Sequence, residues 1–126
     1  MTNDELDTLR KADTDGLLTY EYIANNIGEC DDQLPALAEI LRQVDKNGQF
    51  TASAARFLHA IDAERYDDVV RTLVASTIDH DRERAYLPDL MQSIYGTDYA
   101  EKADKLSAVD NNFRRMYKRL YNDSAM

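Results

Sequence analysis

Apolar residues recur along this chain at intervals of three and four rather than two. Leu34, Leu37, Ala38 and Leu41 stand at i, i+3, i+4 and i+7, which puts all four on one face of an α-helix. The spacing returns at Ala54, Phe57, Leu58 and Ile61, at Tyr66, Val69, Val70 and Leu73, and at Leu87, Leu90, Met91 and Ile94. Two more sets follow: Tyr99, Lys102, Ala103 and Leu106, then Phe113, Met116, Tyr117 and Leu120. Lys102 interrupts its set, so that helix is expected to be the weakest or to lie at an edge. No segment alternates long enough to make a strand. The pattern predicts helices over residues 3–12, 19–27, 33–43, 51–61, 65–77, 85–95 and 98–107, with an eighth over 110–121.

Several helix starts carry their own signals. Thr19 and Thr51 are N-cap candidates, with Leu18 and Phe50 placed to staple onto Ile23 and Ala55. Pro35 suits a first helical turn. Pro88 marks either a first turn beginning near Leu87 or a kink in a helix begun at Arg82.

The helices are organised as a repeat. Asp13-Thr14-Asp15-Gly16-Leu17-Leu18-Thr19 is echoed 32 residues later by Asp45-Lys46-Asn47-Gly48-Gln49-Phe50-Thr51. Asp79-His80-Asp81 opens 34 residues on, and Asp110-Asn111-Asn112-Phe113 follows after 31 more. Independent landmarks, Ile27-Gly28, Ile61-Asp62 and Tyr95-Gly96, fall 34 residues apart where helical patterns stop, at positions where Gly or Asp can take a left-handed C′ conformation. These registers divide a single domain, residues 1–126, into units over 12–43, 44–77 and 78–108 with a partial unit at 109–121.

A two-helix unit with an Asp turn, best seen in Leu34-Pro35-Ala36-Leu37-Ala38-Glu39-Ile40-Leu41 followed by the Asp45 turn and Ala52-Ser53-Ala54-Ala55-Arg56-Phe57-Leu58, resembles a HEAT-type α-solenoid repeat. The apolar–Arg pair usual after that turn is matched only by Phe113-Arg114. The resemblance implies an all-α stack of antiparallel helical hairpins serving as a protein-interaction scaffold. A compact helical bundle is the alternative.

Composition narrows the function classes. Twenty-four acids against fifteen bases give a net charge of −9, which disfavours nucleic acid and anionic membranes as partners. Residues 1–45 hold eleven acids and three bases, whereas residues 105–121 hold five bases and one acid. No apolar run is long enough for a transmembrane helix or an export signal, so the cytoplasm is the expected location. One cysteine, Cys30, excludes an internal disulfide, and with two histidines leaves no zinc cluster.

Read as EF-hand loops, the glycine turns would place Lys11 or Gln43 at position 1 and Tyr22 or Ala54 at position 12. Calcium needs an acid at both, so an Asx-turn feeding a helix is expected instead, with no metal or cofactor. Asp79-His80-Asp81, His59 and Cys30 carry no catalytic spacing, and the acids beside Cys30 should raise its thiol pKa. No catalytic residue is assigned. Tyr66, Tyr95, Tyr99 and Tyr117 belong to core stripes. Arg114, Arg115, Tyr117, Lys118, Arg119 and Tyr121 form the one concentrated basic and aromatic cluster, in the residue types that dominate interface hot spots. The expected function is therefore a non-enzymatic protein-binding module or adaptor that uses this cluster, with Arg115 and Arg119 free to be reversed without harm to the fold. An acidic mimic that occupies a basic nucleic-acid-binding protein is the first alternative, and a small enzyme the second.

Overall fold

A computed structural model describes residues 1–121 and is all-helical, with no strand among them. The helices are α1 (Asn3–Ala12), α2 (Leu17–Asn25), α3 (Leu34–Val44), α4 (Gln49–Ile61), α5 (Asp67–His80), α6 (Leu87–Tyr95), α7 (Ala103–Val109) and α8 (Asn111–Tyr121). Short 3-10 turns at Asp31–Gln33 and Tyr99–Lys102 lead into α3 and α7. The interrupted stripe around Lys102 thus becomes a 3-10 turn and a seven-residue helix that buries no side chain completely. Pro88 lies in the first turn of α6, and the preceding chain turns through Arg84 at φ 58°.

The stripes pack as expected over most of the chain. Leu37, Leu41, Leu58, Leu73, Leu87, Leu90, Met91, Phe113 and Met116 are fully enclosed in one continuous core. Each helix from α1 to α4 touches the next and the next but one: α1 meets α2 and α3, α2 meets α3 and α4, and the ladder continues to α4 against α6. It changes at the C-terminal side, where α8 rather than α7 packs on both α5 and α6. The closest pair is α4 with α5. Small residues permit that approach: Ala52, Ala54 and Ala55 on α4 and Ser76 and Thr77 on α5 are buried, and the Thr51 and Thr77 hydroxyls are 2.8 Å apart.

The aspartate turns hold the helix starts, but by a different device from the expected threonine caps. Asp13 is buried, and its carboxylate accepts from the amides of Gly16 and Thr19 and from the Thr19 hydroxyl, at 2.9, 2.9 and 2.6 Å. Asp45 accepts from the amides of Gly48, Phe50 and Thr51 at 3.0, 2.9 and 2.9 Å. In the third unit Asp81, not Asp79, is the counterpart, taking the amides of Ala85, Tyr86 and Leu87. Asp110 takes the Phe113 amide. An N-terminal turn presents amides without intrahelical partners, and a carboxylate satisfies several at once while meeting the positive end of the helix dipole. Thr19 and Thr51 are consequently third residues of their helices, each preceded by a left-handed glycine at the cap. Leu18, 45% exposed, is no staple.

Successive turns also lean on one another. A methyl group on Gly16 would meet Phe50 Cβ at 3.1 Å, and one on Gly48 would meet Asp81 Cβ at 3.2 Å and Thr77 Cγ2 at 3.3 Å. Both glycines have positive φ, 106° and 87°, so backbone conformation and close approach select glycine together.

Candidate functional site

Two surfaces compete for the role. The first is the basic and aromatic cluster on α8. Arg115 pairs with Asp79 at 2.6 Å. Arg119 donates to the carbonyl oxygens of Ile78 and Asp81 at 2.6 and 2.9 Å, meeting the last turn of α5 where helix carbonyls lack intrahelical partners. Arg114 donates to the Ser107 carbonyl and the Asn111 side chain. Tyr117 lies between Phe113 and Tyr121, with ring centroids 5.6 and 4.6 Å away, and the Tyr121 hydroxyl is 2.5 Å from that of Tyr99. Of the six residues, Lys118 alone has no partner among the described residues. The shallow cleft here, about 430 Å³ between Ile78, Asp79, Arg115, Lys118 and Arg119, is therefore crossed by fold contacts. Reversing Arg115 and Arg119 would disturb how α8 sits on α5, contrary to the expectation from sequence.

The neighbouring tyrosines are structural as well. Tyr95 donates to Asp110 at 3.0 Å, and burial, with the charge of Asp110, pushes its phenol far above the ordinary tyrosine range. The hydrogen bond with Tyr121, then burial, raises Tyr99 to about 12. Tyr66 sits in the core with its hydroxyl donating to Asp31, which also pairs with Arg65.

The second surface is an open cleft of about 560 Å³, lined by Tyr20 of α2, Ser53, Arg56, Phe57, His59 and Ala60 of α4, and Ser93 of α6. It crosses three helices that pack side by side, with α4 between α2 and α6. Two residues of the α4 apolar set are not enclosed: Phe57 packs against the core but is only half-buried, and Ile61 is 52% exposed. Arg56 Nε donates to Ser93 Oγ at 3.0 Å, tying α4 to α6 across the cleft. No hydrogen bond joins His59 to Ser53 or Ser93 among the described residues.

The remaining sequence candidates are quickly placed. Cys30 is buried at 2% exposure, and burial, then the charge of Asp31, raises its thiol pKa away from reactivity. His80 lies 3.4 Å from the Ser76 hydroxyl, and Asp79 belongs to Arg115. The carboxylates of Asp13 and Asp45 are committed to amide donors, which occupy the lone pairs a cation would need. No group of three or more histidine, cysteine or acidic side chains is arranged to hold a metal among the described residues. Asp13, Asp45 and Asp81 are buried, so they are withdrawn from any phosphate-like row of surface acids. No described helix is long and apolar enough to cross a membrane. Comparison of the chain with family models, curated proteins and solved structures finds no match.

Proposed function

We propose that this protein is a non-enzymatic protein-binding module whose helices form a short HEAT-like stack of hairpins, closed on its C-terminal side by α8. The ladder of neighbouring contacts from α1 to α6 and the stacked aspartate turns support that arrangement. The working surface in this reading is the α2–α4–α6 cleft rather than the basic cluster on α8. One observation carries it: Phe57, at helical core spacing, is left half-uncovered in a cleft that spans three hairpins, and Ile61, one helical turn further along α4, is 52% exposed. Apolar side chains left open to solvent at such a place are characteristic of an interaction surface. The lone, buried Cys30 is compatible with a cytoplasmic setting.

Photo-crosslinking tests the reading. A photoreactive phenylalanine analogue at Ala60, within the cleft, should give a discrete protein adduct in the cell of origin. The same group at Lys118, on α8, should not. Adducts from Lys118 alone would restore the basic cluster as the contact surface, and adducts from neither position would overturn the binding-module reading.

A further inference from the structure

Arg56 is the one arginine lining the α2–α4–α6 cleft. Its guanidinium is steadied at Nε by Ser93, while its two terminal nitrogens have no partner among the described residues. Five other arginines are paired with carboxylates, Arg42 with Glu39 and Arg115 with Asp79 among them, while Arg114 and Arg119 donate to carbonyl oxygens. Arg56 combines an Nε fixed by Ser93 with terminal nitrogens turned to an apolar-lined cleft, on a chain of net charge −9. A guanidinium fixed through Nε retains terminal N–H groups that can grip both oxygens of a carboxylate. Phe57 and Tyr20 line the same cleft, and Ile61 follows one helical turn after Phe57, so apolar surface adjoins the cation.

We infer that the cleft takes an acidic segment of a partner protein, its Asp or Glu carboxylate held by the terminal nitrogens of Arg56 and an adjacent apolar side chain seated against Phe57 and Ile61. This rests on the protein-binding reading and specifies its ligand. Charge complementarity selects the occupant: the cleft offers one fixed cation, which matches a single carboxylate. A polyphosphate backbone would bring many negative charges against a strongly acidic molecule. A protein segment also suits an open cleft laid across three helices better than a small ligand does, because small ligands are held mainly by enclosure.

Selection of random twelve-residue peptides displayed on phage against the full chain tests the inference, followed by anisotropy titration of labelled synthetic peptides. The enriched peptides should place Asp or Glu within two residues of an apolar side chain. Their affinity should fall at least tenfold on Arg56→Gln, and equally when the peptide's acid is replaced by its amide. Arg56→Lys should retain part of the affinity, since it keeps the charge and loses the fork, and Lys118→Glu should change nothing. Arg56 is exposed and makes one hydrogen bond, to Ser93, so these variants should keep the wild-type circular dichroism and lose no more than about 4 °C in melting temperature. Enriched peptides that lack acids, or that bind Arg56→Gln unchanged, would overturn the carboxylate assignment while the protein-binding reading stands. Failure to enrich any peptide would overturn the inference as well, with the broader reading decided separately by crosslinking at Ala60.

Discussion

Replacing Asp45 by alanine should unfold the second aspartate turn and much of the stability with it. The carboxylate is 1% exposed and accepts from the amides of Gly48, Phe50 and Thr51 at 2.9–3.0 Å, with a weaker contact to Asn47 at 3.3 Å. Water can reach the Asn47 amide once the carboxylate is gone, whereas the bonds at Gly48 and Thr51 are buried. A buried donor left unsatisfied costs about 1–3 kcal/mol, so two such donors, with a smaller share from Phe50, put the loss near 4 kcal/mol. At this chain length 1 kcal/mol moves the melting temperature by about 4 °C, which places the D45A transition about 15 °C below wild type. Asp15, exposed and accepting from the Leu17 amide alone, is the control, and D15A should cost only about 0.5 kcal/mol. Asp45→Asn keeps one acceptor oxygen but turns an NH2 group toward amide donors, so it should recover less than half of the loss. Urea titration monitored by circular dichroism at 222 nm measures all three. A D45A loss below about 1 kcal/mol, or D45N indistinguishable from wild type, would refute the claim that the carboxylate secures the start of α4.

Gly48→Ala should cost about 2–3 kcal/mol and Gly28→Ala about 1 kcal/mol. Both have positive φ, but a methyl on Gly48 presses on Asp81 and Thr77 while Gly28 faces open space. Equal losses in urea titrations would remove the case for close turn packing. For Asp13, burial raises the carboxyl pKa, but the hydrogen bonds from Thr19, Gly16 and Asp15 outweigh it and hold it below the ordinary aspartate value. Its contribution is thus present above about pH 4 and lost as acid carries the folded group through its lowered pKa. Thr19→Val should flatten the fall of stability below pH 4, and an unchanged pH profile would count against this assignment. Arg119→Glu sets a carboxylate against two carbonyl oxygens and should cost about 2 kcal/mol, while Lys118→Glu stays within about 0.5 kcal/mol. Equal melting temperatures for these two variants would return Arg119 to the free surface. Tyr95 and Tyr99 ionise late in the folded chain, so stability should hold below pH 10 and decline above it as unfolded phenols lose their protons. Absorbance at 295 nm should show tyrosinate from these two only with loss of the helical signal. Their ionisation in a folded chain near pH 10 would contradict the hydrogen-bonded cluster.

The helices and the turns between them were legible because both rest on local rules. A stripe such as Leu34, Leu37, Ala38 and Leu41 needs only the period of one helix, and all four residues are buried. The repeat of Asp and Gly was visible for the same reason, yet its mechanism was not. Threonine caps were expected from a template that reaches two or three residues, whereas Asp13 and Asp45 reach six residues forward to Thr19 and Thr51. Repeat spacing aligned Asp79-His80-Asp81 with the earlier turns by its first residue, and spacing alone does not say that Asp81 is the carboxylate that turns inward. Features joined across long separations stayed hidden. Arg119 meets Ile78 across 41 residues and Arg56 meets Ser93 across 37. One contact turns an expected binding residue into a fold contact, and the other assembles a cleft that no single segment of sequence announces. Ile61 was expected in the core by its spacing, but it falls at the last turn of α4, where the packing does not cover it.

The most direct test of the α2–α4–α6 cleft as the working surface is amide chemical-shift mapping of the full chain, titrated with a peptide enriched by the display selection. Shifts should converge on Tyr20, Ser53, Arg56, Phe57, Ala60 and Ser93, joining three separated stretches of sequence into one footprint, and the Arg56 Nε–H resonance should move with them. Shifts confined to residues 114–121, or spread without a focus, would contradict the account.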